Sequence, residues 1–248
     1  MTQEHRLYNS VAPLRNVSAL VTLIEKVRDR APGLPGMATF SGYSGYGKTT
    51  AAVYAANCFD ALQVQVKESW TARKFCQSIL SEMGILPAKT IADMIDQIAQ
   101  ELALSDRVLI VDDAQYLIKR SMIGHVRDIY ESSGATIILI GEERLPQQLQ
   151  QWENIHGRMF DWVTAEPACL DDVAHLARIY CAEVTLSEAF RAKLLHASVH
   201  SIRRVCINLA KVREFALTAG LDAVDPDIWG DRGFFACAAP RPRGDIKP

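Results

Sequence analysis

The segment Gly42-Tyr43-Ser44-Gly45-Tyr46-Gly47-Lys48-Thr49 constrains this chain more than any other stretch. It fits the pattern G-x-x-x-x-G-K-[ST], and it lies where that pattern has a physical meaning. Met37–Ser41 before it reads as a short buried strand, and Thr49–Cys58 after it reads as a helix. Glycines let the loop backbone curl until successive N–H groups face inward, which makes a cup for phosphate oxygens. The helix that follows adds its positive N-terminal end. Lys48 is expected to reach the β- and γ-phosphates, and Thr49 to ligate Mg²⁺ through its hydroxyl. Thr50 completes the expected contact set for ATP.

A second element supports the first. Val108-Leu-Ile-Val-Asp112-Asp113 is an apolar run ending in two acids. A buried parallel strand of this kind delivers its carboxylates to the carboxyl edge of the sheet, beside the phosphates. Asp112 is expected to hold Mg²⁺, directly or through water. Asp113 is expected to orient or deprotonate an attacking water. The other reading of the pair is that they cap the next helix.

The rest of the pattern gives the architecture. Val17, Leu20, Val21, Ile24 and Val27 recur at helical spacing, so a helix precedes the first strand. Leu62–Val66, Arg107–Val111, Thr136–Ile140 and the weaker Phe160–Val163 read as further strands. Helices fall between them: one from Ser69 or Thr71 to Met83, one opened by Thr90 with Asp93, one over Ser121–Ser132, and a short one over Leu145–Trp152. Apolar strands alternating with helices predict an α/β fold, with a five-stranded parallel sheet flanked by helices. After Pro167 only helices are expected, over Asp171–Tyr180, Ser187–Ser198 and Ser201–Thr218, with a short one from Pro226 and no strand between them. The expected organisation is an α/β domain with an N-terminal helix over residues 1–165, a helical lid over 166–237, and a Pro-rich basic tail over 238–248 that reads as disordered.

Composition narrows the setting. Lys and Arg number 27 and Asp and Glu 29, for a net charge of −2, so no global basic signature marks a nucleic-acid binder. The six Cys, at 58, 76, 169, 181, 206 and 237, form no C-x-x-C pair. Neither a zinc site nor a disulfide framework is suggested, and reduced thiols in a cytoplasm are expected. Met1–Pro13 has no apolar core of a signal peptide, and no run is long enough to cross a membrane. The His residues show no metal spacing.

On these motifs the chain resembles AAA+ ATPases. More closely it is similar to the transposition protein B of Mu-like transposable phages and related transposon ATPases. The matching segments are GYSGYGKTTAAVYAAN, RVLIVDDAQYL, TIILIGEERLP, WENIHGRMFDWV and HSIRRVCINLAKVREFAL. The resemblance implies a C-terminal helical lid and an ATP-dependent oligomer or filament on double-stranded DNA, bound without sequence preference. It also implies that target DNA is delivered to a transposase and that hydrolysis disassembles the filament. For a phage-encoded protein the location would be the bacterial host cytoplasm. Arg158 matches the position of an arginine finger that a neighbouring subunit would use. Arg203 matches the lid arginine that senses nucleotide, with Arg204 beside it as the alternative.

The sequence also departs from that pattern. The acidic pair is Asp112-Asp113 where Asp-Glu is usual. Asp is one methylene shorter than Glu, so slow hydrolysis is expected. Gly141-Glu142 stands where a neutral polar sensor is common. The residues before Met37 are too few for the helix-turn-helix module found at the front of some members. For DNA the candidates are Lys67, Arg73 and Lys74 near Trp70, and Lys119 and Arg120 in a loop before the next helix; a solvated basic face is the alternative. The competing function is a nucleotide switch or assembly ATPase that acts on a protein partner and ignores DNA.

Overall fold

The computed structural model describes residues 14–236. Two expectations fall outside the described residues: a disordered tail over 238–248, and a segment 1–13 without the apolar core of a signal peptide. The chain divides into two compact units, one running to Glu166 and one starting at Pro167.

The first unit opens with helix α1 (Arg15–Arg28) and strand β1 (Met37–Ser41). Helix α2 (Lys48–Phe59) and strand β2 (Leu62–Gln65) follow. Two helices, α3 (Ala72–Glu82) and α4 (Ile91–Ser105), lead to β3 (Leu109–Asp112). Next come α5 (Gln115–Lys119), α6 (Ile123–Ser133) and β4 (Ile137–Gly141). The unit ends with α7 (Leu145–Gln150), α8 (Glu153–His156) and β5 (Met159–Thr164). The five strands form one sheet in the order β2-β3-β4-β1-β5, and every pairing is parallel. The expected α/β class and five-stranded parallel sheet are therefore observed.

The reason lies in the strands. All of β1, β3 and β4 is buried, so each needs cover on both faces. Phe75, Ile79, Met94, Ile98, Leu102, Val126 and Ile129 supply part of that cover from α3, α4 and α6. The helix starts obey the expected capping chemistry. Thr71 Oγ1 accepts the Lys74 N–H at 3.3 Å, and Thr90 Oγ1 accepts the Asp93 N–H at 3.1 Å.

Two short helices were not expected. Helix α5 follows β3 immediately, so Lys119 ends a helix and Arg120 caps it, rather than lying in a loop. Helix α8 separates α7 from β5. Both are about one turn long, too short for periodicity to register.

The second unit holds α9 (Leu170–Tyr180), α10 (Glu188–Ala197), α11 (Ile202–Ala219) and α12 (Pro226–Trp229). The expectation of no strand here is corrected. Thr185–Leu186 (β6) and Ala223–Val224 (β7) pair in parallel. Two residues each are too few to show an alternating pattern. Trp229 is the centre of this unit's aromatic packing. It stacks on Phe234 at 5.2 Å and meets Phe215 edge-on at 5.4 Å.

Asn16 fastens the first unit around its loop. Its Nδ2 donates to the Tyr46 and Glu166 carbonyls, both at 2.8 Å, and its Oδ1 accepts the Glu166 N–H at 2.9 Å. Asn16→Ala should therefore cost about 1–2 kcal/mol, measured as a lower urea midpoint, because three part-buried backbone groups lose their partner.

Candidate functional site

The carboxyl ends of β1, β3 and β4 meet at the glycine loop. Gly42 leaves β1 with its N–H donating to the Gly141 carbonyl at 3.2 Å. A Cβ on Gly42 would lie 2.9 Å from the Ala165 Cβ, so glycine is required there by space. Gly45 and Gly47 are required by conformation, at φ +89° and +82°. Gly47 then caps α2, which begins at Lys48. Ser44, Thr49 and Thr50 are exposed at the rim of the loop. Tyr43 is 60% exposed and meets Tyr46 edge-on at 5.8 Å.

Lys48 Nζ folds back onto its own loop, donating to the Gly42 carbonyl at 2.6 Å and the Tyr43 carbonyl at 2.9 Å. Burial pushes its pKa down, against the fields of Asp112, Asp113, Glu142 and Glu143. An ammonium that must borrow loop carbonyls is poised to exchange them for phosphate oxygens.

Asp112 ends β3 and is only 2% exposed. Burial raises its pKa, and a hydrogen bond from the Thr49 hydroxyl partly offsets that. Its Oδ1 accepts the Asp113 N–H at 2.9 Å. Its Oδ2 is buried without a hydrogen-bond partner. An orphaned carboxylate oxygen beside a threonine hydroxyl is a donor set of the hard-oxygen type that Mg²⁺ prefers. Among the described residues no group of three or more His, Cys, Asp and Glu could hold a metal. A cation here would take its other ligands from phosphate and water, as Mg²⁺ usually does.

Asp113 stands at φ +56°. Its carboxylate accepts from Gln65 Nε2 at 2.8 Å and from Gln115 Nε2 at 3.0 Å. Neither glutamine was picked out from the sequence. Gln65 carried a signal: it is the polar end of β2 and pairs in register with Asp112. Gln115 gave none beyond following the acidic pair. Glu142, which stands where a neutral sensor was expected, is exposed, and its backbone N–H donates to Gln115 Oε1 at 3.3 Å.

The structure brings Gly42–Thr50, Asp112 and Asp113 together, but not Arg158. The Arg158 carbonyl accepts the Met37 N–H, at the opposite end of β1. The five residues of β1 span about 13 Å at the usual rise. The Arg158 side chain is engaged by the Glu131 carboxylate and the Asn154 carbonyl, and it lines a cavity of about 440 Å³ with Gly33, Pro35 and Tyr130. Arg203 and Arg204 lie in the first turn of α11 in the second unit.

The basic candidates form one neighbourhood. Arg120 Nε donates to the Glu68 carbonyl at 2.8 Å, which joins the end of α5 to the loop holding Lys67. Arg73 Nη2 donates to the Lys89 carbonyl at 2.6 Å. Lys74 lies 5.9 Å from the Trp70 ring and Lys119 lies 5.0 Å from the Tyr116 ring. Trp70 itself is half-buried against the core.

Comparisons with known proteins agree with this geometry. Residues 33–149 match the family model described as an AAA domain. No curated protein matches the chain. The solved structures of similar fold include Aeropyrum pernix ORC2 in ADPNP-ADP complexes, with a TM-score of 0.60 and 14% identity over 86% of this chain and 65% of its own. Aeropyrum pernix ORC1 in complex with DNA gives 0.59 and 14%, over 86% and 62%. The Thermotoga maritima RuvB Holliday junction branch migration motor gives 0.56 and 16%, over 86% and 66%. The chain thus spans less than two thirds of the length of each. At these identities the likeness is one of fold: the first unit has the AAA+ P-loop fold, and residues 33–149 are similar to the AAA domain family. Among the described residues no helix is long and apolar enough to cross a membrane.

The raised pKa of Asp112 has a consequence for stability. Folding favours its neutral form, so stability lost on ionisation returns as pH falls through the folded value towards the unfolded one. Asp112→Asn should therefore raise the ligand-free thermal midpoint near neutral pH, and the gain should shrink in acid. With Asp112 as a ligand of Mg²⁺, the same variant should also show no upward shift of the midpoint on addition of Mg²⁺ and ATP. A lower midpoint for ligand-free Asp112→Asn would contradict this reading.

Proposed function

We propose that the chain is an ATP-dependent DNA-binding AAA+ ATPase that oligomerises on target DNA and assists a transposase in choosing it. The observation that carries the nucleotide part is the buried, partnerless Oδ2 of Asp112 beside Thr49, facing a loop whose lysine is satisfied only by its own carbonyls. The Gly42–Thr49 amides and the α2 N-terminus hold the phosphates, and Lys48 leaves the loop carbonyls for the β- and γ-oxygens. Thr49 and Asp112 hold Mg²⁺, which would neutralise charge as it develops on the transferred phosphoryl group. Asp113 accepts a proton from the attacking water or aligns it. Its short side chain, held by two amides, fits slow turnover.

Arg158 serves the neighbouring subunit, because it stands at the far end of β1 from its own loop. Arg203 in the lid senses the nucleotide, with Arg204 as the alternative. Lys67, Arg73, Lys74, Lys119 and Arg120 contact DNA phosphates without reading bases. Each subunit binds weakly and the assembly binds tightly, because a filament repeats the patch. Nucleotide and DNA both occur on this fold, in the ORC2 complexes with ADPNP and ADP and the ORC1 complex with DNA. The finer assignment to target selection for a transposase rests on the sequence resemblance.

A second reading keeps the ATPase and removes the DNA. It is favoured by the tethering of Arg73 and Arg120 to backbone carbonyls, and by the net charge of −2. Filter retention of duplex DNA with a non-hydrolysable ATP analogue, at rising salt, separates the two. DNA binding predicts analogue-dependent retention that falls steeply with salt. Oligomers that form with the analogue yet retain no DNA would favour the protein-partner reading.

Service of Arg158 in trans gives a mixing prediction. Arg158→Ala and Lys48→Ala should each lower phosphate release, Arg158→Ala by about 10³-fold or more. A mixture of the two variants should recover part of the activity, since intact loops from one meet intact arginines from the other. No recovery in the mixture would reject the assignment of Arg158.

A further inference from the structure

Gln115 lies at the start of a short helix whose Tyr116, Leu117 and Ile118 pack on the core, and it is only 2% exposed. Its amide is used at both ends. Nε2 donates to Asp113 Oδ1 at 3.0 Å, and Oε1 accepts the Glu142 N–H at 3.3 Å. The same Oε1 would lie 2.7 Å from a Cβ on Gly141, so the missing side chain at the end of β4 is what gives the amide room. Gly141 in turn accepts the N–H of Gly42, the first residue of the phosphate loop. One continuous path of contacts therefore runs from the phosphate loop through the end of β4 and Gln115 to the Asp113 carboxylate.

An apolar side chain of equal volume would fill this space without the penalty of burying an amide. What the amide adds is a fixed distance between Asp113 and the phosphate loop. Asp113 needs such support, because its backbone stands at φ +56°, where non-glycine residues are uncommon. Gln65, which holds the other carboxylate oxygen, belongs to the edge strand β2, which β3 separates from β4.

We propose that Gln115 is a positioning residue for hydrolysis, setting the place of the Asp113 carboxylate relative to the phosphate loop and hence to the water that attacks. The inference rests on the reading of this site as an ATPase and of Asp113 as the group that handles that water. Gln115 itself touches neither nucleotide nor water in this role; it acts through Asp113. Displacements of about 1 Å at such a group can lower turnover about 10²-fold while leaving substrate affinity alone.

The test uses the full chain with Gln115→Met, which keeps the volume and deletes the amide, and with Gly141→Ala, which crowds both the amide and the Leu145 side chain from the other end. Steady-state phosphate release from Mg-ATP gives kcat and KM, and a fluorescent ATP analogue gives Kd. The expected result is a kcat about 10²-fold lower in both variants, with KM and Kd within about threefold of wild type. Should Gln115→Met fail to fold, Gln115→Glu keeps the shape, turns the donor into an acceptor against Asp113, and should show the same split. An unchanged or raised kcat overturns the proposal, as does a loss of Kd in proportion to kcat, which would mark a merely structural residue. If the wild type shows no phosphate release that Lys48→Ala abolishes, the ATPase reading fails and this inference goes with it. Lys48-dependent release with normal turnover in Gln115→Met rejects the inference alone.

Discussion

At Gly42 the backbone leaves β1 between two other strand ends. Its N–H is taken by Gly141 at the end of β4, and its α-carbon lies against Ala165 just beyond β5. No side chain fits at that point, and the loop that follows needs two residues at positive φ to turn back into α2. The rest of the first unit can be understood as the frame for this turn. Three fully buried strands put their carboxyl ends at one level. The helices on both faces hold that level, and Asn16 ties α1 to the loop and to the residue after β5. The phosphate cup is thus a property of the sheet edge rather than of the loop alone.

The electrostatics of the same edge are unbalanced without a ligand. Burial disfavours the charge on Lys48 and the charge on Asp112, and their mutual field only partly offsets this. Lys48 is satisfied by carbonyls of its own loop, and Asp112 leaves one oxygen with no partner. Glu143 Oε2 is likewise buried without a partner, but only the Asp112 oxygen stands beside the Thr49 hydroxyl and Lys48, where a bound cation would account for it. A magnesium-bound triphosphate would suit both, with anions to replace the carbonyls on the lysine and a cation for the open oxygen of the aspartate. Asp113 differs from both, because its oxygens are already occupied by Gln65 and Gln115. The two carboxylates thus differ in character, one with an open oxygen and one held on both sides.

Much of this was legible in the sequence because its causes are local. The glycine loop is read from consecutive residues, and the buried strands show as unbroken apolar runs. The caps at Thr71 and Thr90 follow from short-range hydrogen bonding. What escaped was either too short or too distant. The one-turn helices α5 and α8 and the two-residue pair β6–β7 carry no period to detect. Gln65 and Gln115 become site residues only once β2 lies beside β3 and β3 beside β4, which the sequence does not state. The placement of Arg158 at the far end of β1 likewise depends on strand direction and order. That placement, not the arginine itself, is what separates it from the loop of its own chain.

The account stands on the loop around Lys48 as the seat of a magnesium nucleotide. Isothermal titration of the purified chain with a non-hydrolysable ATP analogue, with and without Mg²⁺, tests this most directly. The account predicts saturable one-to-one uptake that strengthens with the metal and disappears in Lys48→Ala. Absence of uptake by the folded wild type, or equal uptake by wild type and Lys48→Ala, would contradict it.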